Sequence, residues 1–349
     1  MLMEMQIAGK SIGFGHPCYI IAELSANHGQ SLHRALELVR LAKEAGADAV
    51  KLQTYTPDTI TIDSRRPEFL IGSGSLWEGK NLYELYQEAF TPWDWQPQIK
   101  AEADRLGMQC FSSPFDDSAV EFLEGMNVPA YKIASFELVD TELLRKVAAT
   151  RKPVILSTGM ATLSEIDLAV RNLRTAGCQQ LALLKCTSAY PALPKDMNLR
   201  TIPHLASAFN VPVGLSDHTL GIAVPVAATV LGACIIEKHL TTSRTQGGPD
   251  AAFSLEPDEF KSMVNAVRVA EQAIGDVCYD LTSKEEASRE LRRSLFAVRD
   301  IRVGEIFTSE NVRSIRPGHG LPVSELSLVL GRCAKRAIER GTPLSREDY

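Results

Sequence analysis

The stretch VPVGLSDHTLG, residues 211–221, opens like a buried strand and then turns polar at Ser216, Asp217 and His218. A second stretch, CIIEKHLT (234–241), does the same: it is apolar through Ile236 and then presents Glu237, Lys238 and His239. Runs that are apolar on both faces belong to parallel sheets, which are covered on both sides. Six more such runs lie upstream: YIIAEL (19–24), AVKLQTY (49–55), QCFSSP (109–114), AYKIAS (130–135), PVILST (153–158) and LALLKCT (181–187). Amphipathic stretches alternate with them. SLHRALELVRLAKEAGA (31–47) has a capping serine, apolar residues at helical spacing and a closing glycine, and 162–176 and 256–274 read the same way. Eight strand–helix units predict an α/β fold, a closed (β/α)8 TIM barrel. A doubly wound sheet is the alternative, but its usual Gly-x-Gly-x-x-Gly turn after the first strand is missing.

The remaining segments have their own signals. MQIAGKSIGF (5–14) predicts a hairpin placed to plug the N-terminal end of the barrel. Residues 56–92 form an abnormally long loop for a barrel, and its Trp77, Tyr83 and Tyr86 predict an ordered lid or wall, with Trp93 and Trp95 packing that lid. After 275 the pattern changes. SKEEASRELRR (283–293) reads as a linker or connecting helix, and the short strands and turns beyond it predict a small β-rich module with little core of its own. The domain layout expected is 1–275 for the barrel, 276–290 for a linker and 291–349 for the module.

Bulk properties restrict the function. There are 37 Lys and Arg against 43 Asp and Glu, a net charge of −6, and no dense basic run, so nothing favours nucleic acid or an anionic membrane as partner. No stretch approaches 18 apolar residues and the first residues lack a secretory leader, which predicts a soluble, cytoplasmic protein working on small molecules. The seven cysteines, with Cys110, Cys186 and Cys234 inside apolar runs, read as reduced core residues.

In such a barrel the chemistry sits where the strands end. Those ends supply Glu23, Asn27 and His28; Lys51 and Gln53; Ser112 and Ser113; Lys132, Ser135 and Glu137; Thr187, Ser188 and Tyr190; and the two triplets quoted above. Two imidazoles from neighbouring strands, with a carboxylate across the mouth, can hold a divalent cation and leave positions open. Lys51 and Lys132 stand inside apolar strands, where an unpaired ammonium is costly, so both call for an anionic partner. Lysines and hydroxyls together suit a phosphate and a carboxylate, which points to a small phosphorylated acid as substrate. Asp217 reads as a group that orients a neighbour.

These residues sit in the motifs IAELSANHG (21–29), GADAVKLQTY (46–55), FSSPFD (111–116), PAYKIASFE (129–137), STGMA (157–161), GLSDHT (214–219), EKHLT (237–241) and RPGHG (316–320). Through them the whole chain resembles the sialic acid synthases, which condense phosphoenolpyruvate with an amino sugar. The resemblance implies a TIM barrel followed by a small antifreeze-like (SAF) domain. KLQTYTPDTIT (51–61), LWEGKNLYELY (76–86), TPWDW (91–95) and YKIASFELVD (131–140) are most similar to the pseudaminic acid synthase branch, whose sugar is 2,4-diacetamido-2,4,6-trideoxy-L-altrose. Ala134 and Phe136 stand where glycines are usual in the family, a bulkier choice that suits a deoxy sugar.

By the resemblance, His218 and His239 are ligands of a divalent metal (Mn2+, Mg2+ or Co2+), and Glu23 holds a water near the reacting carbons. Lys51, Gln53, Ser113, Lys132, Ser135, Ser188 and Ser216 are phosphoenolpyruvate contacts, although Ser188 replaces a common asparagine. Glu137, Tyr190 and Asp250 are sugar contacts. Arg316 is implied to reach the active site of the other subunit in a domain-swapped homodimer. The alternatives are an N-acetylneuraminate or legionaminic acid synthase and, in a different class, a non-catalytic sugar-binding protein, in which the metal histidines or the lysines would be eroded; here they are intact.

Overall fold

The computed structural model describes residues 4–349 and divides into two units, Met1–Gly275 and Asp276–Tyr349. In the first unit a hairpin of β1 (Met5–Ile7) and β2 (Lys10–Ile12) precedes the barrel. Its turn, Ala8 and Gly9, has φ of 48° and 80°, the paired left-handed geometry that two-residue hairpins favour. Met5, Ile7 and Ile12 are buried in the barrel core, the Gln6 N–H donates to Gln180 Oε1 at 2.7 Å, and Lys10 pairs with Asp48. Gln180 and Asp48 both precede strands, so the hairpin covers the N-terminal end as the sequence predicts.

Eight parallel strands close the barrel: β3 (Tyr19–Glu23), β4 (Ala49–Thr54), β5 (Gln109–Pro114), β6 (Tyr131–Ile133), β7 (Val154–Ser157), β8 (Leu181–Cys186), β9 (Val213–Asp217) and β10 (Ile235–His239). β10 pairs with both β9 and β3, and each strand is followed by a helix, the last being Pro257–Ile274. β6 is shorter than its sequence run because the chain turns at Ser135 into the short helix Phe136–Val139, which lifts Glu137 to the mouth. Thr162 and Glu165 cap Leu163–Thr175 reciprocally, and Ser31 accepts from the Arg34 N–H ahead of Leu32–Glu44.

The ends of β9 and β10 are held in one register, with Ser216 opposite Glu237 and Asp217 opposite Lys238. Side chains alternate along a strand. Ser216, His218, Glu237 and His239 therefore share the inner face, while Asp217 and Lys238 turn outward and pair in full burial. Gly214 permits the close approach of these strands: a β-carbon there would lie 2.6 Å from Ile235 Cβ and 2.8 Å from Leu184 Cδ2.

The long segment after β4 is ordered, with helices Pro57–Ile60 and Leu82–Ala89, the second capped by Asn81. Trp77 ties it to the barrel by donating its indole N–H to the Pro249 carbonyl at 2.9 Å. Trp93 and Trp95 do not pack the lid as expected. Trp93 donates to the Tyr55 carbonyl at 3.0 Å and lies 4.8 Å from the Phe122 ring, and Trp95 packs on the barrel core, because Trp93–Trp95 is a helical turn already leading into Gln96–Arg105.

The second unit pairs β11 (Ser294–Ala297) with β12 (Val312–Ile315) around a small core that includes Leu295, Ile301, Phe307, Val312, Val329 and Ile338. Ahead of it, Ser283–Ser288 is a short helix with a Thr282–Glu285 capping box. All seven cysteines are free, and the reading of them as core residues needs correction at Cys278 and Cys333, which are exposed. Cys278 follows the last barrel helix in an exposed stretch, and Cys333 belongs to a module with little interior to hide it. Among the described residues no helix is long and apolar enough to cross a membrane.

Candidate active site

A cavity of about 680 Å³ opens where the barrel strands end. Its charged part is built by four buried groups. Lys51 forms an ion pair with Glu23 and lies 3.3 Å from Glu237; Lys132 lies 3.7 Å from the same Glu237 oxygen, which also accepts from Ser216 Oγ at 3.1 Å. Burial disfavours every one of these charges; it prevails at Glu23 and Lys132, whereas pairing prevails at Glu237. Burial pushes the Glu23 carboxyl up, the nearby Glu237 adds to this, and Lys51 opposes it. Glu237 is held below its ordinary range despite burial, because Lys132 and Lys51 flank it. Lys132 is pushed down by burial.

Beside the lysines lies a set of neutral donors. Lys132 Nζ donates to Ser157 Oγ at 2.7 Å, and the Gly159 N–H donates to Ser135 Oγ at 3.1 Å. A β-carbon on Gly159 would collide with Ser188 Oγ and fall 2.8 Å from Ser135 Oγ. Glycine thus leaves room for two hydroxyls to converge, and with the lysines of the same cavity they form a donor set that suits phosphate.

The imidazoles of His218 and His239 are 5.3 Å apart between centroids. His218 Nδ1 lies 3.1 Å from the Thr187 carbonyl, an acceptor only, which assigns a proton to Nδ1 and leaves Nε2 as the nitrogen available to a ligand. His239 Nδ1 is buried without a hydrogen-bond partner, and Asp250 Oδ2 stays 3.8 Å from it. Burial, then the His218 imidazole, hold His239 well below its ordinary value, so it is neutral. The carboxylate expected to complete a metal set does not close on the pair: among the described residues no three His, Cys, Asp or Glu side chains are grouped as metal ligands.

Tyr190 packs 4.5 Å from the His218 ring and 5.6 Å from Trp77. Glu137 and Asp250 face the same space, with carboxyls raised by burial to about 7 and about 6. Gln53 donates to Ser25 Oγ at 2.7 Å.

A sequence model of the NeuB family matches residues 38–279, and one of the SAF domain matches residues 292–349. The chain belongs to the NeuB family. It is 48% identical over 331 residues to a pseudaminic acid synthase of Campylobacter jejuni, covering 95% of this chain and 96% of that protein. It is 45% identical to a pseudaminic acid synthase of Helicobacter pylori, covering 95% and 98%. Among solved structures, an N-acetylneuraminic acid synthetase from Leptospira borgpetersenii superposes with a TM-score of 0.73 at 31% identity, covering 82% of this chain and 95% of that one.

Of the residues expected at the site of this NeuB-family chain, Glu23, Lys51, Gln53, Lys132, Ser135, Glu137, Ser188, Tyr190, Ser216, His218, His239 and Asp250 all line the one cavity. Ser113 does not. It is fully buried, opposite Gln53 on the neighbouring strand, with its Oγ unpartnered. His28 is also away from the cavity, with Nε2 3.1 Å from Thr91 Oγ1, and Arg316 belongs to the second unit. Sequence reasoning gave no role to Glu237, Ser157 or Gly159. The signal for Glu237 was its place two residues before His239, which puts both on one face.

Proposed function

We propose that this protein condenses phosphoenolpyruvate with 2,4-diacetamido-2,4,6-trideoxy-L-altrose to give a nonulosonic acid and phosphate. The observation that carries the reading is the two-lysine, two-hydroxyl anion cradle facing a pair of histidines in one cavity, in a chain 45–48% identical to pseudaminic acid synthases. Lys51, Lys132, Ser135 and Ser188 take the phosphate and carboxylate of phosphoenolpyruvate, with the Gly159 position keeping the cradle open. Glu137, Tyr190 and Asp250 hold the sugar. C3 of phosphoenolpyruvate bonds to the aldehyde carbon, water adds at C2, and the C2–O bond to phosphate breaks to leave the 2-keto acid. Glu23, beside Lys51, orients that water and accepts its proton. Holding both reactants in one enclosed mouth supplies the orientation that a bimolecular reaction otherwise lacks.

The donor set fits a divalent cation. The unpartnered Nδ1 of the neutral His239 and the His218 ring, whose Nδ1 is spent on the Thr187 carbonyl, bring two imidazoles to one part of the cavity, a pair that would hold a cation with positions left for substrate and water. When bound, the cation polarises the aldehyde oxygen.

In the same reading residues 1–275 are the catalytic domain, 276–290 a linker and 291–349 the SAF domain, and the protein works in the cytoplasm as a homodimer in which Arg316 serves the partner's cavity. The deciding experiment is a product assay by mass spectrometry with phosphoenolpyruvate and a panel of amino sugars. The nonulosonic acid and free phosphate should form with the trideoxy sugar. Equal or better kcat/KM with N-acetylmannosamine would overturn the assignment.

A further inference from the structure

Ser25 is buried directly after the strand that delivers Glu23, and it is not among the residues that line the cavity. Its φ of 40° falls in the left-handed region, where glycine is at ease and serine is strained. A side chain kept on a strained backbone has to be explained by what it touches.

Its contacts reach three parts of the barrel mouth. The Ser25 N–H donates to Glu23 Oε1 at 2.8 Å. Its Oγ accepts from Gln53 Nε2 at 2.7 Å, on the neighbouring strand β4. That bond leaves the hydroxyl proton for Asp250, in the loop after β10: burial raises the Asp250 carboxyl to about 6, while the Ser25 hydroxyl and the Ala26 N–H draw it back toward its charged form. In the ring β3 lies between β4 and β10, so Ser25 stands where the phosphoenolpyruvate side and the sugar side meet. A buried amide and a buried carboxyl keep one orientation only when a partner fixes them, and a hydroxyl can accept from the first while donating to the second.

We propose, resting on the functional reading above, that Ser25 is a positioning residue whose hydroxyl sets the Gln53 amide for phosphoenolpyruvate and the Asp250 carboxyl for the sugar, while its backbone N–H holds Glu23. The two substrate sites are thereby aligned through one side chain that touches neither substrate.

The test uses the full chain with phosphoenolpyruvate and the trideoxy sugar. Ser25→Gly removes the hydroxyl, suits the positive φ and keeps the backbone N–H, so it separates the two contributions. KM should rise by roughly 10-fold for each substrate, the scale of one lost buried hydrogen bond. Because Glu23 keeps its donor, kcat should stay within about threefold of the parent, which also verifies that the variant is folded. Unchanged KM values overturn the inference. A double-mutant cycle supplies the readout that a merely structural serine would not move: Ser25→Gly added to Gln53→Ala should raise KM for phosphoenolpyruvate no further, and added to Asp250→Ala should raise KM for the sugar no further, since the hydroxyl then has nothing left to position. Effects that multiply in both backgrounds overturn the assignment of Ser25 to these partners. All of these values are ratios to the parent chain, whose own turnover tests the functional reading, so failure of the reading and failure of the inference are seen in different proteins.

Discussion

Replacing Glu237 by glutamine removes one negative charge from the centre of the cavity while keeping the side chain's volume. Its carboxylate lies 3.3 Å from Lys51 Nζ and 3.7 Å from Lys132 Nζ. With an effective dielectric constant near 20, each attraction is worth roughly 4–5 kcal/mol before desolvation is counted. Burial offsets much of that, but taking one partner from a buried pair still costs about 3–5 kcal/mol, since the remaining charge stays out of water. At about 2 °C per kcal/mol for a domain of this size, Glu237→Gln should lower Tm by roughly 6–10 °C in the absence of substrate. Lys51 keeps its pair with Glu23, whereas Lys132 loses its carboxylate; phosphoenolpyruvate supplies an anion in its place, so the Tm deficit should shrink at saturating phosphoenolpyruvate. Thermal denaturation of both proteins with and without phosphoenolpyruvate reads both quantities. A variant melting within about 2 °C of the parent without ligand, or a deficit unchanged by phosphoenolpyruvate, would refute the claim that Glu237 holds the lysines in the empty site.

Chelation should abolish activity and a divalent ion such as Mn2+ restore it, with His218→Ala and His239→Ala each lowering metal content by elemental analysis; full turnover in a metal-free preparation would sink the metal assignment. The carboxyl of Glu137, raised by burial to about 7 from an ordinary 4.5, binds its proton more tightly folded than unfolded, so it subtracts stability as pH rises from about 4.5 to about 7, by up to about 3 kcal/mol. Glu137→Gln should therefore raise Tm at pH 8 and change it little at pH 4; equal effects at both values would contradict the assignment. If Arg316 works in trans, mixing Arg316→Ala with Glu23→Ala subunits should recover activity toward about half of the wild-type value per heterodimer, because one of two sites regains both residues. No recovery after verified subunit exchange would confine Arg316 to its own chain or to no site.

Most of the barrel was legible because strands covered on both sides must be apolar on both faces, and that pattern survives in a single sequence. Seven of the eight quoted runs lie within two residues of their strands at each end, and the eighth, 211–221, runs past β9 from His218 onward. The two histidine-bearing ends were legible for a related reason: a polar triplet closing an apolar run has few structural explanations. What the sequence does not show is who faces whom across the ring. Lys51 called for an anion, and the structure answers with Glu23 on the neighbouring strand and Glu237 on β10, a closeness that follows only from closure of the barrel. Ser113 illustrates the converse. Register sets it opposite Gln53, which lines the cavity, yet its own side chain is fully buried, an outcome that packing around the ring decides and a single sequence does not show. Trp93 and Trp95 were misplaced because aromatic content alone does not distinguish a lid from the turn that ends it.

The outward ion pair of Asp217 and Lys238 has a consequence for how the chain can vary. Each partner sits between two inward residues of its own strand, Ser216 and His218 on one side and Glu237 and His239 on the other. A slip of one residue in either strand would turn its imidazole toward the surrounding helices and bring a lysine or an aspartate into the mouth. The pair makes such a slip expensive, since the displaced charges would lose each other inside the protein. SDH and EKH are therefore coupled structurally as six residues: a substitution at either outer position is penalised by the folded state itself, even though both side chains face away from the cavity.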